Sequence, residues 1–328
     1  MKTRTSIFIA LSLVICAAVI YYWQTGHLKE TSTTVRIGMV TFPGYAPFYL
    51  AKEKGFFENL NVELVRIEAI GDLRAAMNSG KIDMYLATFD IFQSTENQEP
   101  PGVGFLAVDE SHGADGVAVS TGVNSVSDFK GKRVGAEPGF PPYFVLQYML
   151  HKENLTLKDV NFKDISSQDA GNAFVAKQLD VVGTYEPYLS KSVSLRPGSK
   201  ILVSSADLPG LIVDMLYANE RLVLEKPELL KRVADGWFKG VSYFQQNQDE
   251  SFEIMSHAFG VSKQELKDIK SGLTWFTLDD NKRLFSKQTE NNFFKTFDVV
   301  GEILVSNKAD GYRVRSEKKL NSKIIDNY

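Results

Sequence analysis

Val35-Arg36-Ile37-Gly38-Met39-Val40-Thr41-Phe42-Pro43-Gly44-Tyr45-Ala46-Pro47-Phe48-Tyr49-Leu50-Ala51 is the stretch whose reading decides the fold. Its opening apolar run predicts a strand, and Pro43-Gly44 punctuates it. Pro47 suits the first turn of a helix, where a missing N–H costs nothing, and Gly55 suits the position just past the helix end. The chain therefore opens as strand, loop, helix. In open α/β folds such a loop lies at the carboxyl edge of the sheet, where ligands bind, and this one carries Phe42 and Tyr45. The two rings read as one wall of a binding cleft; the alternative is that they only cover the sheet edge.

The pattern continues downstream. Residues 62–67 and 82–87 predict strands, and 72–79 a short helix with Asp72 as N-cap and Gly80 past its end. Residues 104–109 and 116–120 predict strands around the loop Glu110-Ser111-His112-Gly113-Ala114-Asp115. At Asp128-Phe129-Lys130-Gly131-Lys132-Arg133-Val134-Gly135 the pattern starts over. Strand 133–136 is followed by the loop Glu137-Pro138-Gly139-Phe140-Pro141-Pro142-Tyr143, a helix to residue 153, strand 160–165, helix 170–177 and strand 181–184. Such alternation predicts a mainly parallel sheet with helices on its faces. Ile82-Asp83-Met84 echoes Leu179-Asp180-Val181, which sets Thr88 and Phe89 opposite Tyr185 and Glu186 beyond two equivalent strands. After 211–218 the spacing becomes helical, over 227–246, 251–259, 262–270 and 281–305. These late helices either form a third domain or return to cover the first half.

At the N-terminus, Lys2 and Arg4 precede an apolar run over 7–23 that ends in Tyr21-Tyr22-Trp23. Roughly 17 residues is the short limit for crossing a bilayer, and the three rings would sit at its far interface. Three readings stand: an uncleaved anchor in the inner membrane, a cleaved export signal, or a lipoprotein leader modified at Cys16. No small residues are well placed for cleavage beyond Trp23, and Ile15 stands where a small residue is needed before Cys16. All three export the body, because the positive end stays inside. Residues 24–33 predict a linker.

The 328 residues are long enough for two domains, and 44% hydrophobic with 23% charged residues is ordinary for a soluble globular protein. A net charge of -3, without a basic stripe carrying interleaved aromatics, excludes a nucleic-acid partner; the basic stretch 313–323 reads as a solvated tail. Cys16 is the only cysteine, so the exported part has no disulfide, thiolate metal site or cysteine nucleophile. His27, His112, His151 and His257 lack ligand spacing, and neither a metal nor a cofactor is expected.

Tyr45-Ala46-Pro47-Phe48-Tyr49-Leu50-Ala51-Lys52-Glu53-Lys54-Gly55-Phe56-Phe57, Gly80-Lys81-Ile82-Asp83, the segment Asp128 to Gly135 quoted above, and Tyr185-Glu186-Pro187-Tyr188 occur in this order. Together they resemble the nitrate/sulfonate/taurine/thiamine-precursor (NitT/TauT-type) group of ABC-importer substrate-binding proteins, across residues 34–305. The resemblance implies an α/β protein of the two-lobed type II periplasmic-binding-protein fold, preceded here by the N-terminal hydrophobic helix, whose lobes close on a solute by hinge motion. Crossings between lobes are expected near 117–123 and 211–217. That gives 1–33 as leader and linker, 34–120 with 216–328 as lobe one, and 121–215 as lobe two. The resemblance also implies a periplasmic or extracytoplasmic location, ABC permease and ATPase partners, and no enzymatic activity.

In this arrangement five loops converge on the cleft: 42–45, 88–90, 111–115, 137–143 and 185–186. The ligand-binding candidates are Phe42, Tyr45, Thr88, Phe89, Asp115, Phe140, Tyr143, Tyr185 and Glu186. An oxyanion would want N–H donors and cationic side chains. Here Pro141 and Pro142 delete two donors, Glu137 stands close by, Asp115 and Glu186 add negative charge, and none of the five loops contains Lys or Arg. That chemistry favours a small cationic or aromatic amine, aminopyrimidine-like, over nitrate, taurine or an aliphatic sulfonate. A cation over a ring contributes about 0.5 to 2 kcal/mol, and a charge-assisted hydrogen bond about 1.5 to 3 kcal/mol. Glu186→Gln is then expected to weaken binding by more than about tenfold.

Each assignment has a plainer counterpart. Glu186 would cap the helix beginning at Pro187, Asp115 would be a turn residue, and the rings would be core. Three other readings stay open: a membrane-tethered sensor feeding a partner receptor, an aliphatic sulfonate or taurine binder, and, behind these, an enzyme on the same fold with Asp115 and Glu186 as acid and base. Ser111 beside His112 lacks a third member for nucleophilic catalysis.

Overall fold

The computed structural model describes residues 33–94, 99–306 and 314–328. The leader with Cys16, residues 24–32 of the linker and the start of the basic stretch fall outside them, and so does the N-terminal hydrophobic helix. Among the described residues no helix is long and apolar enough to cross a membrane.

The opening stretch folds as strand, loop, helix: β1 (Thr33–Met39), a single 3₁₀ turn (Pro43–Tyr45) and α1 (Ala46–Glu53). Gly55 follows the helix with φ +69, a conformation that costs a side chain but not glycine. Val35, Ile37 and Met39 are buried. At Gly38 a Cβ would come within 2.6 Å of Ile82 and 2.7 Å of Leu73. Its bare backbone lets α2 (Ile70–Asn78) lie close on the sheet.

Six strands form the first sheet, in spatial order β11 (Leu273–Trp275), β4 (Val103–Ser111), β10 (Val213–Ala218), β3 (Met84–Thr88), β1 and β2 (Leu60–Arg66). Five form the second: β7 (Asn161–Asp164), β6 (Arg133–Ala136), β8 (Val181–Tyr185), β5 (Asp115–Val119) and β9 (Lys200–Ser204). α3 (Phe89–Gln93) follows β3, while α4 (Pro141–Lys152), α5 (Ser167–Val175) and α6 (Tyr188–Ser194) accompany the second sheet.

Both sheets are mixed, not mainly parallel. β1 is parallel to β2 and β3, and β6 to β7 and β8, but β10 runs against β3 and β4, and β5 against β8 and β9. Each strand that follows a crossing enters its sheet from the shared edge and so runs against its neighbours. The crossings also come earlier than 117–123 and 211–217. β5 already pairs with β8 from Asp115 onward, and the return path runs between β9 and β10. A boundary at 120 would therefore leave β5 with the wrong sheet.

The internal echo is structural. Arg36 donates from N and Nε to Asp83 Oδ2 at 2.8 and 3.2 Å, and Asp83 N donates to Arg36 O at 2.9 Å. In the second sheet Arg133 donates from N and Nε to Asp180 Oδ2 at 3.1 and 2.9 Å, and Asp180 N donates to Arg133 O at 2.8 Å. Both pairs are separated by 47 residues.

The late helices return to the first sheet. α7 (Glu220–Glu225) leads into α8 (Pro227–Gln246), whose buried stripe includes Leu230, Val233, Trp237 and Val241. Trp237 packs on Phe48 of α1 at 4.8 Å between ring centres and donates Nε1 to Phe276 O at 3.0 Å. α9 (Gln248–Phe259) and α10 (Lys263–Ser271) follow, and β11 then joins the sheet. The helix expected over 281–305 is two, α11 (Leu278–Phe285) and α12 (Phe293–Ser306). The polar run Ser286 to Asn292 offers no apolar residue at helical spacing, and Asn292 Oδ1 caps the new start by accepting Lys295 N at 3.1 Å.

Candidate functional site

Three aspartates meet at the carboxyl edge of the first sheet. Asp109, near the end of β4, lies directly opposite Asp214 in β10, and Asp214 is also opposite Thr88, the last residue of β3. Thr88 caps α3 by accepting Ile91 N at 3.4 Å, which puts Asp90 in the helix's first turn. Asp109 is 0% exposed, and Asp90 and Asp214 are 3% exposed. Like charges directly across a ladder destabilise a sheet unless something lies between them. Tyr45 reaches in from the opening loop, donating Oη to Asp214 Oδ1 at 2.5 Å, and its ring meets Phe42 edge-on at 5.2 Å. Trp275 Nε1 donates to Gly44 O at 2.8 Å and holds that loop down. A Cβ at Gly44 would stand 2.7 Å from Asp109 Oδ2, so glycine is what lets the backbone pass over the carboxylate.

The second sheet faces this edge with Asp115, buried at the start of β5 opposite Tyr185 at the end of β8. Ser205, between β9 and β10, ties the crossings together. Its Oγ accepts Gly113 N at 2.8 Å and Asp115 N at 3.4 Å, and sits 2.7 Å from Ser111 Oγ. Two nearby carboxylates are otherwise engaged. Glu137 accepts Ser167 N at 2.8 Å at the start of α5, and Glu186 accepts Ser190 N at 3.2 Å and Ser190 Oγ at 2.5 Å in the first turn of α6. Phe140 stacks near Tyr185 at 6.5 Å, and Tyr188 meets Tyr185 edge-on at 5.8 Å.

The acids titrate far from their usual range. Burial pushes Asp214 up to about 8, against the Tyr45 hydrogen bond and with help from the Asp90 and Asp115 charges. Burial raises Asp115 to about 7, opposed by Ser111 and assisted by Asp90 and Glu186. Asp90 rises to about 6, mainly by burial. Asp109 is raised well above the carboxylate range by burial and then by Asp214 and Asp115. Lys270 at the end of α10 opposes that rise. Its Nζ donates to Leu273 O at 2.8 Å and lies 4.8 Å from the Trp275 ring centre, and burial lowers its own pKa. Neither oxygen of Asp109 has a hydrogen-bond partner; nor do Asp90 Oδ1 and the buried Tyr217 Oη. Two acids opposite each other with a single half-buried lysine nearby keep their protons to unusually high pH in this dry place, and an added cation would favour their ionised form.

Of the residues singled out in the sequence, Phe42, Tyr45, Thr88, Asp115, Tyr185 and Phe140 line the facing edges. Phe89 does not: it is fully buried against Phe293 and Phe297 at 6.1 and 5.3 Å, because the first residue of α3 points into the core under α12. Tyr143 packs on Phe162 of the edge strand β7 at 5.6 Å. Glu186 is near Asp115 but serves α6. The sequence reading put Asp90 in a cleft loop without making it a candidate, and it missed Asp109, Asp214, Tyr217 and Lys270. A lone acid inside the apolar runs 103–109 and 211–218 was the available signal, since a strand interior rarely accepts an unpaired charge.

The family profile described as NMT1/THI5 like matches residues 42–251. A Brucella abortus protein provisionally named a binding protein is 23% identical over 279 residues, covering 83% of this chain and 84% of the relative. Among solved structures, the periplasmic aliphatic sulphonate binding protein SsuA of Escherichia coli superposes with a TM-score of 0.70 at 16% identity, over 88% of this chain and 92% of SsuA. The desulfurization enzyme DszB superposes with a TM-score of 0.60 at 15% identity, over 90% and 98% of the two chains. These likenesses carry the two-lobed periplasmic-binding-protein fold.

Proposed function

Because this chain belongs to the NMT1/THI5-like family, we propose that it is an extracytoplasmic solute-binding protein of an ABC importer, handing its ligand to a permease and ATPase. On this reading the lobes follow the sheets, with β1–β4, β10 and β11 in one and β5–β9 in the other. The solute is a small organic cation or amine, held by Asp109, Asp214, Asp115 and Asp90, with Tyr45, Phe42 and Tyr185 against its body. One observation carries this: Asp109 is wholly buried opposite Asp214 with neither oxygen bonded. An ammonium group supplies the missing charge and donors together.

An anion fits badly. Among the described residues Lys270 is the cation whose charge acts on Asp109, and it is held aside by donating to Leu273 O and lying against the Trp275 ring. The fold shared with SsuA and DszB does not transfer their ligand or activity, since function resides in the site. Closure around the ligand follows from tighter binding to the closed form than to the open one.

The test is a thermal-shift and calorimetric screen of amines and aminopyrimidines against taurine and alkanesulfonates. Amines are expected to raise the melting temperature and sulfonates to leave it unchanged. Stabilisation by sulfonates alone overturns the reading.

A further inference from the structure

The loop that roofs the Asp109–Asp214 pair is anchored at both ends. On the surface Thr41 donates from N and Oγ1 to Glu68 Oε2 and Oε1 at 3.0 and 2.5 Å. At the far end Ala46 and Pro47 are buried as α1 begins. β1 has ended at Met39, so residues 40–45 belong to no strand. Two inward contacts hold the middle down: Gly44 O accepts Trp275 Nε1 at 2.8 Å, and Tyr45 Oη donates to Asp214 Oδ1 at 2.5 Å. Tyr45 N also donates to Phe42 O at 3.1 Å, which makes the turn one unit.

Trp275 is directly opposite Asp109 in the β11–β4 ladder, so indole and carboxylate leave the sheet on the same side. Gly44 lies across both, near enough that a Cβ there would stand 2.7 Å from Asp109 Oδ2. Beneath it Asp109 and Asp214 are buried, as is Tyr45 itself. Every part of this cover belongs to the first sheet: the loop runs on from β1, the acids sit in β4 and β10, and Trp275 sits in β11. Parting the lobes moves none of these groups relative to another and leaves the roof in place.

Building on the amine-binding reading above, we propose that residues 42–45 are a gate distinct from the hinge, in which the Tyr45 hydroxyl holds the place of the solute's donor on Asp214 and Trp275 is the positioning residue that latches the loop over Asp109. A solute reaches the pair when Gly44 and Tyr45 lift. It then replaces one donor on Asp214 with another, while the Tyr45 ring stays against its body. Only the lifted fraction of molecules accepts it, which lowers the apparent affinity by that fraction.

One arm of the test needs no solute. Dicyclohexylcarbodiimide, an uncharged reagent for protonated carboxyls, is applied to the full chain near pH 6 and its adducts are read residue by residue by mass spectrometry. Asp109 and Asp214 are expected to react at least about fivefold faster in Tyr45→Phe and in Trp275→Phe than in the unaltered chain, with Asp115 on the other sheet changed by less than about twofold. A rise shared equally by Asp115 is general loosening, and no rise means that the loop is no barrier; either result overturns the gate. The other arm is stopped-flow mixing with n-butylamine and benzylamine. Tyr45→Phe is expected to bind at least about threefold tighter, and Trp275→Phe to associate at least about threefold faster. Weaker binding by Tyr45→Phe makes the hydroxyl a solute contact or a support of the fold, which overturns the gate and leaves the amine reading standing. Faster labelling of Asp109 and Asp214 with no response to either amine supports the gate and overturns the amine reading.

Discussion

At the carboxyl edge of the first sheet Asp90, Asp109 and Asp214 are buried, with both oxygens of Asp109 and one of Asp90 unbonded, whereas at the matching edge of the second sheet Glu137 and Glu186 are drawn into helix starts and Asp115 alone turns inward. The frames behind the two edges are alike down to the Arg36–Asp83 and Arg133–Asp180 pairs. What differs is the reach of a carboxylate to a free backbone N–H. A glutamate one turn from a helix start finds an unsatisfied donor and becomes a cap. An aspartate inside a strand finds the nearby backbone donors already used by the ladder and stays uncapped. On the proposed reading the first edge would supply most of the grip, and the second one acid and the ring-lined wall.

The largest effect that would break this contrast is on affinity. Asp214→Asn should weaken amine binding by about 30-fold or more, since truncating one side of a buried charge pair costs about 2 to 5 kcal/mol. Glu186→Gln should change it by less than about threefold, well below the tenfold loss that the sequence alone suggests, because Ser190 occupies both oxygens. Equal losses in calorimetry would erase the distinction between edge and cap.

An intermediate effect is on stability against pH. The folded-state values of about 6, 7 and 8 for Asp90, Asp115 and Asp214 lie above the unfolded reference of about 3.9. Between about pH 4 and 8 the folded chain thus binds more protons than the unfolded one, and its stability falls as pH rises. Carboxylates held low, such as Asp128, Asp159 and Asp180, act in the opposite sense but below that window. The melting temperature of the unliganded chain should drop by several degrees from pH 5 to pH 8, and a bound amine should remove most of the drop. A melting temperature that climbs over this range would contradict the burial of the first-edge acids.

The smallest effect sharpens the likeness. Asp83→Ala and Asp180→Ala each remove a carboxylate that accepts a backbone N–H and a guanidinium, with Arg36 and Arg133 39% and 50% exposed. Losses of about 1 to 2 kcal/mol are expected in each, equal within about 1 kcal/mol, by denaturant titration. A large difference between them would mean that the frames are not equivalent.

Much of this architecture is legible in the residues because its signals are local. Pro227 at a helix start and the polar residues after Gln246 mark α8, and the short run Arg133 to Ala136 stands between turn residues as β6. The direction of β10 is not local: it is decided by partners more than a hundred residues away in β3 and β4. The same distance hid the first-edge acids. Asp109 and Asp214 sit in separate apolar runs, and nothing near either one announces that the fold will lay them face to face. Phe89 misled for a related reason. It follows β3 as a cleft residue should, but α3 starts at once and turns the ring inward onto Phe297, handing the edge to Asp90 instead.

Ser205 places one hydroxyl among Ser111, Gly113 and Asp115 and so fastens the outgoing and returning ribbons side by side. Gly113 and Gly210, at φ +111 and +80, remain as swivels on either side of that rivet. A strap pinned this way is expected to bend about a single axis. On the proposed reading, that axis would bring the two acid-bearing rims together over a solute in one stroke.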